Sequence, residues 1–195
     1  MGIRLERAWV AAMIAGRRVG VFAAMSLDGH LAEPNDGLDF LASVQREDED
    51  YGCMAFANRV QGYVVGRRTF DVVTELCGGQ FPHVGKWPIY VVTSAASDRS
   101  DMDGVTFGCL DNLPSWLEAN TPETSGDGLV WCDGGGELIS ALSDRIDEWT
   151  LSVVPTLLGE GIPLFREGRP SVRLQAVGAA SYDSGLIQLR YTLAP

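Results

Sequence analysis

The chain has 195 residues, 46% of them hydrophobic and 21% charged, with a formal net charge of −11. That length suits one domain with one sizeable core, and the composition sits near the soluble average, which excludes a disordered chain. The acidic excess argues against a nucleic-acid partner, and no apolar run approaches the ~18 residues of a membrane span.

Residues 1–18, "MGIRLERAWVAAMIAGRR", carry charge at both ends of a short apolar middle. They read as an N-terminal extension ahead of a single domain over 19–195, with Met13 an alternative start, and lack the long apolar stretch of a secretory signal. "VGVFAAM", 19–25, is a buried strand closed by the turn "SLDG". From Asp36 the spacing of Phe40, Leu41, Val44, Tyr51, Met54 and Ala55 predicts one amphipathic helix, with Glu47 to Asp50 facing water.

Three segments then repeat one pattern. "GYVVGRRTFDVV" (62–73) is a strand turning at Gly66 into a helix, "WPIYVVTS" delivers Thr93 and Ser94 to a strand end, and "LVWCDGGGELISAL" (129–142) runs through three glycines into a helix. Strands alternating with helices predict an α/β fold with a mostly parallel sheet covered on both faces. "DEWTLSVVPTLLG", "SVRLQAVGAASYD" and "SGLIQLRYTL" read as antiparallel strands, the last two a hairpin.

The four cysteines, Cys53, Cys77, Cys109 and Cys132, include no C-x-x-C pair, and the chain has only two histidines. The pattern gives no metal site and no disulfide framework, and predicts buried free thiols in a reducing cytoplasm.

In open α/β sheets ligands collect at the carboxyl ends of the strands. Ala24 to Asp28, Gly66 to Thr69, Thr93 with Ser94, and Gly134 to Glu137 converge there. Glycines in a row admit either a phosphate at a helix N-terminus or tight strand-to-helix packing. Arg67 and Arg68 are either bidentate phosphate donors or two surface arginines. The triplet is neither a G-x-G-x-x-G fingerprint nor a G-x-x-x-x-G-K-[ST] loop.

Taken in order, "FAAMSLDGHLA", "VVGRRTF", "YVVTS", "DGGGELI" and "DEWTLSVVPTLLGEGIPLF" resemble the dihydrofolate reductase superfamily over about Val19 to Leu193. The resemblance is greatest to the branch related to the reductase domain of the bifunctional riboflavin-pathway deaminase-reductase. It implies a cytoplasmic, homodimeric reductase that passes a hydride from NADPH to a C=N or C=O carbon of a small pterin- or pyrimidine-like substrate. It implies further that Ala24 lies beside the nicotinamide, that Gly66, Arg67, Arg68 and Thr69 hold phosphates, and that Thr93 and Ser94 bind the adenosine 2′-phosphate. Gly134, Gly135 and Gly136, with Glu137 and Leu138 following, would cradle the pyrophosphate.

Four features depart from the family's pattern. The Trp-bearing loop of folate reductases is replaced by "EPNDGLDFL", the strand-one lysine of riboflavin-pathway reductases is Phe22, and the often basic residue after the glycines is Glu137; in addition, the "DDP" segment of riboflavin-pathway reductases after the second strand is here "GRRTF". Reduction of C=N or C=O also needs a proton donor. Asp39 is the first candidate, against a role at a helix start, and Asp28 the second, against a role in its turn. His30 and water stay open. In "PTLLGEGIPLF", Leu157, Leu158, Leu164 and Phe165 are expected to pack, and Ser152 is either buried or on the pocket floor.

Overall fold

The computed structural model describes residues 13–95, 101–123, 126–168 and 171–194. Among the described residues, short β-branched and aromatic runs make ten strands: β1 (Val19–Ser26), β2 (His30–Ala32), β3 (Val60–Gly66), β4 (Ile89–Val92), β5 (Val105–Gly108), β6 (Leu129–Gly134), β7 (Glu148–Val154), β8 (Ile162–Pro163), β9 (Leu174–Ser181) and β10 (Ile187–Leu193). Eight of them form one sheet in the order β5-β4-β3-β6-β1-β7-β10-β9, and β2 pairs with β8 separately. The strands β5 to β7 of that order are parallel, while β10 is antiparallel to both β7 and β9. The expectation for "DEWTLSVV" is therefore corrected: β7 extends the parallel part alongside β1, and only the hairpin β9–β10 reverses direction.

Helices cover both faces. Leu113 and Leu117 of α3 (Leu113–Asn120) and Leu138 and Ile139 of α4 (Gly136–Ala141) pack with Val21, Val64, Val130, Cys132 and Leu151. On the other face, Phe56 of α1 (Cys53–Ala57) and Phe70 of α2 (Arg67–Leu76) join Phe81 over Tyr63, Val65, Leu129 and Trp131. Burial of these side chains, worth about 1.5–3 kcal/mol for each large one, holds the layers together. No helix among the described residues is long and apolar enough to cross a membrane.

The single helix predicted after Asp36 does not form. The segment is a 3-10 helix over Asp39–Val44, then α1, separated by Tyr51 (φ 53°) and Gly52 (φ 81°) in the left-handed region. Phe40 and Val44 pack with Val154 and Leu186, but Met54 and Ala55 are exposed and Phe56 is the buried residue of α1. The acidic run is exposed as expected, and Asp50 accepts the N–H groups of Gly52 and Met54, both at 2.9 Å, at the entry to α1.

Residues 1–12 of the expected extension lie outside the described residues. Its remainder is packed: Ile14 is in the core, and the Arg17 guanidinium donates to the Thr121 carbonyl at 2.7 Å. The cysteines are free, but only Cys132 is buried, and Cys77 is exposed.

Candidate active site

β3 and β6 end side by side, with Val65 in register with Gly134. Gly66 precedes α2 and Gly135 precedes α4, and neither helix start receives a side-chain cap, so first-turn N–H groups remain for another partner. The glycines make the two turns abut. A Cβ on Gly66 would stand 3.2 Å from the Gly134 oxygen, and one on Gly135 would stand 3.1 Å from the Thr69 hydroxyl oxygen. Gly134 has φ 104°, and the Gly134–Gly135 peptide is cis. Gly136 has a different reason: a Cβ there would come within 2.1 Å of the Pro163 carbonyl oxygen. The packing reading of the triplet thus holds for Gly136, while Gly134 and Gly135 stand at the open edge.

Arg67 and Arg68 sit at the start of α2, and neither is idle. Arg67 pairs with Asp71 one turn on, and Arg68 with Asp36 at 2.9 Å. Gly66 is in register with Val92, so Thr93 and Ser94 follow β4 at the same edge. Thr93 is buried and its hydroxyl accepts the Ala95 N–H at 3.1 Å, while Ser94 is exposed. Ala24 is half-buried on β1 opposite Ser152. Glu137 is exposed and pairs with Arg166 at 3.3 Å. The Leu138 side chain is in the core, so it can offer a ligand only its backbone.

Of the two acids singled out as proton donors, Asp28 is placed as a clamp. It accepts the Ser26 hydroxyl at 2.6 Å and the N–H groups of Leu158 and Gly159 at 3.1 and 2.7 Å. The hydroxyl bond first, then the two N–H bonds, hold its carboxyl well below the usual carboxylate range, the reverse of what an acid at neutral pH needs. Asp39 is exposed in the first turn of its 3-10 helix. His30 lies 3.4 Å from Asp28. Ser152 is buried and accepts the Gln188 amide at 3.2 Å. In the 155–165 run Leu164 is fully buried and Leu158 packs with the Phe40 cluster. Leu157 and Phe165 correct the expectation, being 71% and 51% exposed, although the Phe165 ring still lies 5.9 Å from that of Trp149.

Sequence reasoning passed over Asp133. It is the last residue of β6 before the glycines, and its carboxylate accepts the hydroxyl of Tyr63 from β3. Desolvation raises its carboxyl from 3.8 to about 7, against the Tyr63 bond, which favours the charged form. The Tyr63 phenol is pushed far up by burial first and then by Asp133. Around Tyr63 stand Trp131 (ring centroids 5.2 Å apart), His83 (4.9 Å), Phe81 (5.7 Å) and Trp87 (6.1 Å, stacked). Trp131 Nε1 and His83 Nδ1 are buried there without a hydrogen-bond partner among the described residues. The available signal was one carboxylate in the otherwise apolar "LVWC", directly ahead of "GGG".

No protein-family model matches the chain. It is 31% identical over 180 residues to the uncharacterized protein YwjB of Bacillus subtilis, covering 91% of this chain and 99% of that one. A putative riboflavin biosynthesis protein from Shewanella sp. PV-4 superposes with a TM-score of 0.75 at 30% identity, over 91% of this chain and 99% of that one. The chain belongs to the dihydrofolate reductase superfamily. Two solved structures at 14% identity share the superfamily fold. They are the deaminase-reductase of Thermotoga maritima (TM-score 0.66, 91% of this chain and 57% of that one) and an Enterococcus faecalis dihydrofolate reductase complexed with NADP(H) (TM-score 0.60, 94% and 99%). In this superfamily member the strand-end geometry therefore sits on the superfamily's scaffold, with Phe22 on β1 packed against the face that carries Tyr63 and Trp131.

Proposed function

We propose that the protein is an NADPH-dependent reductase that transfers a hydride to a C=N or C=O carbon of a small substrate. The observation that carries this reading is the abutment of the uncapped α2 start, bearing Arg67, Arg68 and Thr69, with the Gly134–Gly135 turn. A dinucleotide fits such an edge: backbone N–H groups and the positive end of a ten-residue helix favour phosphate, and the missing Cβ atoms let it approach. Arg67 and Arg68 would exchange carboxylate partners for phosphate oxygens, and Ser94, exposed beside them, would reach the 2′-phosphate. The NADP(H) complex of the Enterococcus reductase supports the choice of cofactor. When bound, the nicotinamide supplies the hydride; Phe22 and Ala24, half-buried on β1, would wall the sheet face on which the substrate would lie.

The test is a titration with NADPH and NADH followed by tryptophan fluorescence, then a screen for substrate-dependent NADPH oxidation. Micromolar NADPH binding with much weaker NADH binding is expected. Binding of neither overturns the reading, and binding without turnover across the screen favours an NADP-binding protein with little catalysis. The likeness to the Shewanella riboflavin biosynthesis protein, together with the Thermotoga deaminase-reductase that shares the fold, favours as a second reading the riboflavin-pathway phosphoribosylaminouracil reductase. Turnover of that substrate by the protein with Phe22 in place would decide for it. A cytoplasmic homodimer completes the proposal, with the edge strand β9 available for a second copy, and light scattering at the monomer mass counts against it.

A further inference from the structure

The described residues offer three places for chemistry beyond the strand-end edge. One is a cavity of about 340 Å³ bounded by Ser140, Trp149, Phe165, Arg166 and Leu174, another the exposed edge of β9, and the third the Tyr63–Asp133 pair. The pair carries an inference furthest, because its position, its bond and its surroundings point the same way.

We propose that Asp133 is the acid that protonates the substrate heteroatom, with Tyr63 positioning its carboxyl. The proposal deepens the NADPH-reductase reading and rests on it. Asp133 is the penultimate residue of β6, next to the glycine turn, and is itself half-buried, so it is open to a ligand while most of its solvation is lost. It shares the sheet face of Phe22, Tyr63 and Trp131, the face on which the substrate would lie. One of its oxygens is fixed by the Tyr63 hydroxyl. The unpartnered Trp131 Nε1, on a residue 93% buried by its 7% exposure, and His83 Nδ1 add polar groups to the same aromatic wall.

The charges that face the pair are few. Cys53 of α1 lies close enough to feel Asp133, and Lys86, which follows His83 in the segment over Tyr63, acts on both Cys53 and His83. None of them gives Asp133 a bonded cation, so with its carboxyl raised to about 7 a substantial fraction still carries the proton at neutral pH. In the reaction the substrate carbon gains a hydride with its electron pair, the C=N or C=O π electrons pass to the heteroatom, and the Asp133 O–H proton forms the new N–H or O–H bond. The carboxylate left behind is reprotonated from water, and NADPH is oxidised to NADP⁺.

The experiment follows the side-chain carboxyl of Asp133 by NMR in protein labelled with ¹³C-aspartate. It is titrated alone, with NADPH and with NADP⁺, and Asp133→Asn identifies the resonance by its disappearance. A carboxyl beside the nicotinamide feels the ring's positive charge only in NADP⁺. Its midpoint, about 7 in the free protein, should fall with NADP⁺ relative to NADPH by roughly one to two pH units. A purely structural carboxyl would show one midpoint with both cofactors, and that result, or a free-protein midpoint in the ordinary carboxylate range, overturns the assignment. Failure to bind either cofactor instead removes the NADPH reading, and this one with it. Should Asp133→Asn not fold, Tyr63→Phe keeps the ring packing and identifies the resonance as the one whose midpoint rises when the hydroxyl bond is lost.

Discussion

The carboxylate of Asp28 accepts the backbone N–H of Gly159 at 2.7 Å, across 131 residues of sequence. With the Leu158 N–H on its other oxygen, it ties the turn after β1 to the loop after β7. Replacing it by Asn removes the charge that orders this loop. The expected outcome is faster amide exchange at Leu158 and Gly159 by roughly tenfold, with the core amides of β1 little changed. The carboxyl lies below its ordinary value in the folded protein, so its contribution is complete above the unfolded value of 3.8 and fades as pH falls below that. Equal exchange in the two proteins would show the clamp to be idle.

Gly136 has no room for a side chain, because a Cβ would meet the backbone carbonyl of Pro163 at 2.1 Å, which cannot swing aside as a side chain could. Gly136→Ala should lose roughly 1–3 kcal/mol of stability in urea denaturation. Gly135→Ala meets only the rotatable Thr69 hydroxyl, at 3.1 Å, so it should unfold close to wild type while binding NADPH more weakly. Equal stability losses in the two variants would refute this division of labour among the glycines.

Arg67→Ala tests the phosphate assignment. Loss of a charged hydrogen bond should weaken NADPH roughly 10- to 100-fold in a fluorescence titration. NADH should weaken much less. The same loss for both cofactors would place Arg67 away from the phosphate that distinguishes them.

Asp147 is buried at the start of β7 and accepts the Val19 N–H at 2.8 Å. Desolvation raises its carboxyl from 3.8 to about 6, outweighing that bond and the Arg18 charge. Because the folded protein holds this proton more tightly, the stabilisation is complete below about pH 4 and is lost as pH rises through 6. Asp147→Asn, which carries no titrating proton, should flatten the stability profile between pH 4 and 7 by roughly 3 kcal/mol. Parallel profiles for variant and wild type would contradict the shift.

The strands were legible where apolar runs ended in Gly, Thr or Asp, which is why β1, β3, β4, β6 and the final hairpin match their expected places. The glycine and arginine edge was legible too, since strand-to-helix turns fall at one end of a parallel sheet. The helix after Asp36 was misread because Tyr51 and Gly52 adopt left-handed conformations that a hydrophobic period does not report. Asp133 was missed for a related reason. A carboxylate in a strand is unremarkable until Tyr63, 70 residues earlier, is known to face it across the sheet. Asp28 was visible, but its clamp geometry was not, because the N–H groups it accepts come from a loop 130 residues away.

The ion pairs of Arg67 with Asp71 and Arg68 with Asp36 have a consequence for selectivity. Each guanidinium already holds a carboxylate from its own chain, so a lone inorganic anion gains little by entering and must first displace a tethered competitor. Only a ligand that engages several donors at once, through more than one phosphate, replaces both partners together. If the edge takes NADPH as proposed, this internal competition would favour the dinucleotide over lone small anions, in a protein of net charge −11.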